Sequence, residues 1–282
     1  MTCHVDHLVR YGVEAIHQRQ GLVHRPVSYT MSDLLTIALD AATQAGQLIK
    51  SNFGSDLTVN EMQRHDIKLE LDVRSQKLIT EIILKNDPTH AILGEEEGDL
   101  GGDGDVEWIV DPIDGTVNYY FNIPHFCVSI AARNRKTKEM LLGVIHDPMQ
   151  NETWSVVKGG APMLNGKPIN ASARAAMAEA VVTVGFSKSK SALDAGFERY
   201  KRIAYDVRKT RMLGSAALAL AYIACGRLDA YVEEQISLWD IAAGVMLVEA
   251  AGGKVTTAPS TVKPGTMFIC ATNGKLPIEP YL

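Results

Sequence analysis

Apolar positions recur at helical spacing from residue 34 to 49, where Leu34, Ala38, Ala41, Ala45 and Leu48 share one face. Ser32 is a suitable N-cap just ahead of this run, with acidic Asp33 in the first turn, so the folded part should begin near Met31. A second helix is expected over 73–85, burying Leu78, Ile79, Ile82 and Ile83. Strand-like runs then dominate, at 91–93, 108–110, 127–131, 142–145, 154–157 and 181–184, with Gly and Pro between them. Two alanine-rich helices follow at 215–225 and 241–250, stopping before Gly226 and before Gly252-Gly253, and a short strand at 230–232 separates them. Helix and strand alternate, so the class is α/β or α+β. No internal repeat or low-complexity linker breaks the chain, and a boundary between halves is expected near 150–180.

Residues 1–30 differ from the rest. They hold four of the eight histidines and show only a weak helical pattern around residues 5–18, so a flexible N-terminal extension is expected. Cys3, His4 and His7 could grip a metal in principle; a loose tail is the preferred reading. The remaining 31–282 would form one folded unit, with an N-terminal half at 31–150 and a C-terminal half at 151–282.

Composition narrows the function. The 282 residues carry 28 basic and 33 acidic side chains, a net charge of -5, and lack the basic balance of nucleic-acid proteins, so no nucleic-acid partner is expected. The longest strongly apolar run, 216–225, is half of what a membrane span needs, and no membrane partner is expected either. Four scattered cysteines suggest neither a thiolate zinc site nor a disulfide framework, and the N-terminus lacks a secretory h-region. The expected compartment is the cytoplasm.

The charge pattern points to chemistry. Between Asn86 and Ala132 there is no Lys or Arg, yet ten carboxylates occur. Such a stretch repels itself unless it is solvated or neutralised by cations. Asp99, Asp103 and Asp105, set among glycines, read as a solvated loop. Asp111 and Asp114 instead follow the apolar run Trp108-Ile109-Val110 and precede Gly115-Thr116, which places two acids at a strand end. Hard oxygen ligands without His or Cys select Mg²⁺, Mn²⁺ or Ca²⁺ over zinc.

Three blocks resemble the inositol monophosphatase family: ILGEE at 92–96, WIVDPIDGTVN at 108–118, and LWDIAAG at 238–244 leading into EAAGG at 249–253. Weaker echoes are KGGA at 158–161, LNG at 164–166 and RMLGSAA at 211–217, so the resemblance spans about 33–275. It implies a layered α/β/α/β/α sandwich of the inositol monophosphatase and fructose-1,6-bisphosphatase type. An N-terminal antiparallel sheet would carry two helices, and a mixed sheet would follow between helices. It implies a Mg²⁺-dependent, lithium-sensitive phosphate monoester hydrolase using two to three cations per site, commonly a homodimer. Glu95, Asp111 and the Ile113 carbonyl would hold the first cation. Asp111 would bridge to a second, held also by Asp114 and Asp240, and a third would use Glu95, Glu96 or nearby water. Gly115 and Thr116 would meet the phosphate through backbone N–H groups, and Thr116 with Asp72 would orient the attacking water. Gly214, Ser215, Ala216 and Glu233 would contact the alcohol part of the substrate.

The resemblance has gaps. Glu61 falls where the family often has a lysine, and Lys68 or Arg64 is the candidate replacement for that charge. Asp240 could also serve as the N-cap of the helix at 241–250. His125 and His146 read as structural, and Tyr119-Tyr120-Phe121 as helix packing beside the site. The leading substrate is myo-inositol 1-phosphate. Fructose 1,6-bisphosphate, histidinol phosphate and 3′-phosphoadenosine 5′-phosphate compete with it. Some relatives of the family are linked to transcription or RNA processing, which keeps an added binding role open.

Overall fold

The computed structural model describes residues 29–282 apart from 64–65, 187–189 and 261–262. The expectations about Cys3, His4, His7, the helix near 5–18 and Arg64 lie outside the described residues.

The described chain opens with helix α1 (Met31–Asn52), a hairpin of β1 (Val59–Gln63) and β2 (Asp66–Leu69), and α2 (Glu70–Asn86). Next come β3 (Ala91–Gly94), β4 (Gly98–Leu100), β5 (Val106–Asp114), the short α3 (Thr116–Tyr120), β6 (Cys127–Asn134), β7 (Met140–Asp147), β8 (Glu152–Val157), β9 (Met163–Leu164) and β10 (Lys167–Pro168). The last part contains β11 (Val181–Val184), α4 (Lys190–Asp206), β12 (Lys209–Arg211), α5 (Ala216–Ala224), β13 (Ala230–Ile236), α6 (Leu238–Ala250), β14 (Lys254–Pro259) and β15 (Met267–Thr272).

Strands β3 to β10 form an eight-stranded sheet in the order β10-β9-β8-β7-β6-β5-β3-β4. It is antiparallel except for the β3–β5 pair, so the first sheet is not purely antiparallel as expected. The chain turns back at the edge as β4 and then crosses to the far side of β3, which makes β5 run parallel to it. The second sheet has the order β12-β11-β13-β15-β14 and is mixed, with β11 parallel to both neighbours.

Paired helices α1 and α2 cover one face of the first sheet, and α5 and α6 fill the space between the sheets. Helix α4 packs on β13 from the other side of the second sheet. The layers are therefore α/β/α/β/α, as the resemblance implied. Helix α1 buries a stripe of Leu34, Ile37, Ala38, Ala41, Ala42, Ala45 and Ile49, while α5 is buried nearly all round, as an interlayer helix must be. Close approach needs small residues. A Cβ on Gly143 in β7 would lie 2.8 Å from the Ala243 carbonyl oxygen of α6, so only glycine lets that helix lie on the sheet.

The cap of α1 is Thr30, not Ser32. Thr30 Oγ1 accepts the Asp33 N–H at 3.2 Å, and Asp33 accepts the Thr30 N–H at 3.0 Å. A capping box needs an acid three residues after the cap; Thr30 has Asp33 there, whereas Ser32 would have Leu35. In α2 the buried face is Leu71, Asp72, Ser75, Gln76, Ile79 and Ile83, so Leu78 and Ile82 are only partly covered. The core face thus carries polar groups that point toward the acidic segment.

Candidate active site

Strand β5 is buried from Glu107 to Asp114, and its pairing with β6 slips between Asp111 and Asp114, which face Ser129 and Cys127. A bulge at this point re-aims side chains at the strand end. Asp111 is buried and accepts the Ile113 N–H at 3.0 Å, while the Ile113 carbonyl accepts the Thr116 hydroxyl at 2.9 Å. Gly115 follows with φ +97°, a conformation that favours glycine, and α3 starts there.

Glu95 sits one residue past β3, and its N–H donates to the Val110 carbonyl at 3.2 Å. Asp240 lies in the first turn of α6. Glu95, Asp111 and Asp240 each present a carboxylate oxygen within 4.8 Å of the others. The N-cap of α6 is Ser237, whose N–H donates to Asp240 at 2.8 Å. Asp240 is therefore not the cap itself; it closes the helix start from its third position while facing the other acids.

Asp114 differs in its partners. It accepts the Ser215 hydroxyl, the Ala217 N–H at 2.8 Å and, more loosely, the Ala216 N–H at 3.3 Å. It ties the β5 end to the start of α5, and the polar groups of Ser215 and Ala216 are engaged with it. Asp72 is buried in the first turn of α2 and accepts the Leu69 N–H at 2.7 Å; its other oxygen has no hydrogen-bond partner. Lys68 stands 3.4 Å from Glu96, so the positive charge expected from Lys68 does face the acidic segment.

Burial dominates the electrostatics. It pushes Asp72 up to about 8, with Glu96 and Glu95 adding repulsion. It pushes Glu95 up to about 7, with Glu96 adding to it. Burial likewise raises Asp111 and Asp240, each further raised by Glu95 and other neighbouring acids. Asp114 is raised by burial too, although its bonds to Ser215, Ala217 and Ala216 oppose the rise. Crowded buried carboxylates become favourable once a cation offsets their charge, and a set of oxygen donors alone suits a hard divalent ion. The residues present fit such an ion.

A cavity of about 470 Å³ opens over this cluster. It is lined by every residue expected at the site except Asp72 and Glu96, namely Glu95, Asp111, Ile113, Asp114, Gly115, Thr116, Gly214, Ser215, Ala216, Glu233 and Asp240. Neither His125 nor His146 lines it; His146 Nδ1 lies 2.8 Å from the Thr153 hydroxyl, and the His125 ring packs against Tyr222. Tyr119 is buried with its hydroxyl on the Ile49 carbonyl at 2.7 Å, whereas Phe121 is exposed.

The sequence reading missed the far wall: Phe186, Met212, Tyr231, Gln235, Lys263 and Thr266. The Tyr231 hydroxyl donates to Glu233 at 2.5 Å and fixes that carboxylate. Lys263 and Thr266 had a readable signal, since Lys263-Pro264-Gly265-Thr266 is a turn sequence. The Thr266 N–H reaches the Lys263 carbonyl at 3.3 Å, and Gly265 has φ +82°.

A five-layered α/β/α/β/α sandwich with an acidic cluster at the strand end defines a phosphatase-type fold. A sequence profile of the inositol monophosphatase family matches residues 30–275, and the chain belongs to that family. Among curated relatives, Nus factor SuhB of Pasteurella multocida is 38% identical over 229 residues, covering 80% of this chain and 85% of the relative. Nus factor SuhB of Escherichia coli K12 is 37% identical over 230 residues, with the same two shares. Among solved structures, an inositol monophosphatase from Anabaena (Nostoc) sp. PCC 7120 is 36% identical with TM-score 0.75, covering 87% of this chain and 92% of its own. The extragenic suppressor protein suhB from Bartonella henselae is 29% identical with TM-score 0.78, covering 84% and 93%.

Proposed function

We propose that the protein is a Mg²⁺-dependent phosphate monoester hydrolase that releases phosphate from a small phosphorylated polyol, with myo-inositol 1-phosphate as the leading substrate. The convergence of Glu95, Asp111 and Asp240 carries this reading. Glu95, Asp111 and the Ile113 carbonyl are assigned to one Mg²⁺, Asp111, Asp114 and Asp240 to a second, and Glu95, Glu96 or nearby water to a third, weaker one. When bound, such ions activate water and neutralise charge on the phosphoryl oxygens. Asp72, with its unpartnered buried oxygen, and Thr116 orient the attacking water. The Gly115 and Thr116 N–H groups receive the phosphate. Glu233, held by Tyr231, accepts hydroxyls of the leaving alcohol, with Gly214, Ser215 and Ala216 forming the adjacent wall. No side-chain nucleophile is required.

Cytoplasmic residence, a homodimer and inhibition by millimolar lithium belong to the same proposal. Among the described residues no helix is long and apolar enough to cross a membrane. The Nus factor names of the relatives favour a second, transcription-associated binding role alongside catalysis.

The test is a phosphate-release screen with and without Mg²⁺ over myo-inositol 1-phosphate, fructose 1,6-bisphosphate, histidinol phosphate and 3′-phosphoadenosine 5′-phosphate. The highest kcat/KM is expected on the inositol ester. A higher value on another ester reassigns the substrate, and no release from any small phosphate ester contradicts an enzymatic role.

A further inference from the structure

The ladder between β3 and β5 ends just short of the groups assigned to the cation. Its last paired residues are Gly94 and Val110, and one further bond runs from the Glu95 N–H to the Val110 carbonyl. Beyond that bond β3 no longer pairs with β5, and the β5–β6 register is broken between Asp111 and Asp114, so the Glu95 turn and the bulge are not tied to each other by a continuous ladder.

Helix α2 takes over there. Asp72, Ser75 and Gln76 stand at i, i+3 and i+4, so they share one face, and all three are buried. The Ser75 hydroxyl donates to the Pro112 carbonyl at 3.2 Å, in the residue after Asp111. Gln76 Oε1 accepts the Glu96 N–H at 2.9 Å, in the residue after Glu95. The Gln76 amide also lies against Gly94: a Cβ there would be 2.4 Å from its carbon, oxygen and nitrogen alike. The residue before Glu95 is thus shaped to admit this amide. Gln76 Nε2 is buried with no hydrogen-bond partner, which costs stability that an apolar side chain of similar length would not. An amide kept at that cost calls for a function.

We propose that Ser75 and Gln76 are positioning residues through which α2 holds the two cation-carrying segments in register, Gln76 fixing the Glu95 turn and Ser75 the Asp111 bulge. Neither lines the cavity. The inference rests on the assignment of Glu95 and Asp111 as cation ligands.

The experiment is a Mn²⁺ titration of the full-length, chelator-stripped protein by calorimetry or electron paramagnetic resonance, with the cation-free melting temperature measured on the same samples. Gln76→Met should weaken Mn²⁺ binding by about 10- to 100-fold, as loss of an outer hydrogen bond to a metal site does. Its cation-free melting temperature should stay level or rise. Gln76→Glu keeps an acceptor for the Glu96 N–H and should remain within about threefold of wild type, and Ser75→Ala should lose about fivefold, the worth of one hydrogen bond. Gln76→Met binding as tightly as wild type overturns the proposal, as does a loss of affinity shared equally by Gln76→Glu. If Gln76→Met does not fold, Ser75→Ala decides: unchanged Mn²⁺ affinity overturns the inference. If the wild type binds no Mn²⁺, the proposed function falls together with it; wild-type binding with unaffected variants removes this inference alone.

Discussion

Asp111 is buried, accepts the Ile113 N–H and faces Glu95 and Asp240, whereas Asp103 stands exposed in the loop before β5. Asp111→Asn should lower turnover by several orders of magnitude while Asp103→Asn leaves it nearly unchanged, because only the first removes a charge that a cation would use. Steady-state kinetics on both variants checks this, and equal, small effects would refute the assignment. The raised acids give a second expectation. In the cation-free protein Asp72 is pushed up to about 8 and Glu95 to about 7, so the folded form holds protons that the unfolded form has released. Their contribution is fully present below the ordinary carboxylate range and is lost as pH rises toward 8. The melting temperature in chelator should therefore fall over that window, and saturating Mg²⁺ should flatten the fall; a cation-free melt that rises with pH would contradict it. Asp111 and Asp114 were legible because they end an apolar run inside a stretch free of Lys and Arg, whereas Asp72, which has Lys68 and Arg74 beside it, was placed only through the family resemblance. Phe186 and Gln235 were not legible, since they reach the cavity only through folding of distant segments.

At the scale of elements, α5 depends on one residue. Ser215 is its N-cap, accepting the Leu218 N–H at 3.2 Å while its hydroxyl donates to Asp114. Ser215→Ala should cost about 1–2 kcal/mol, the loss of a cap plus a buried hydrogen bond, read by urea denaturation of the cation-free form. A cost near zero would show that Asp114 holds the helix without it. Helices α1, α2, α5 and α6 were readable because their apolar residues repeat at helical spacing or fill the whole helix. Helix α4 and the β1–β2 and β14–β15 hairpins were not called. Helix α4 is rich in charge, so its apolar stripe is sparse, and β14, Lys-Val-Thr-Thr-Ala-Pro, is mostly exposed, so neither stands out as an apolar run. The caps at Thr30 and Ser237 stand three residues before Asp33 and Asp240, whereas the sequence reading put the cap one residue before Asp33 and at Asp240 itself.

The whole molecule assembles its site from both halves of the chain. Residues 31–150 supply Glu95, Asp111 and Asp114, and residues 151–282 supply Asp240 and Glu233, around one cavity whose lining does not include Asp72, while the first sheet runs on to Pro168. Among the described residues the folded unit begins before Met31. Tyr29 donates its hydroxyl to the Asn86 carbonyl at 2.9 Å, and Thr30 caps α1, so both belong to the folded unit. A protein beginning at Tyr29 should keep its melting temperature within a few degrees and its turnover within about twofold, since residues 1–28 offer few large apolar side chains to offset ordering. One beginning at Met31 should lose about 1 kcal/mol with the Thr30 cap. Thermal melts with light scattering decide; a large loss already at Tyr29, or dissociation into smaller particles, would make the extension part of the assembly. We propose that the cluster of buried Asp111 with half-buried Glu95 and Asp240 is a divalent cation site that drives phosphate ester hydrolysis. The most direct test follows phosphate release from myo-inositol 1-phosphate as Mg²⁺ is titrated into chelator-treated protein. Release should be absent in excess chelator and return in step with Mg²⁺; full release in excess chelator would contradict the account.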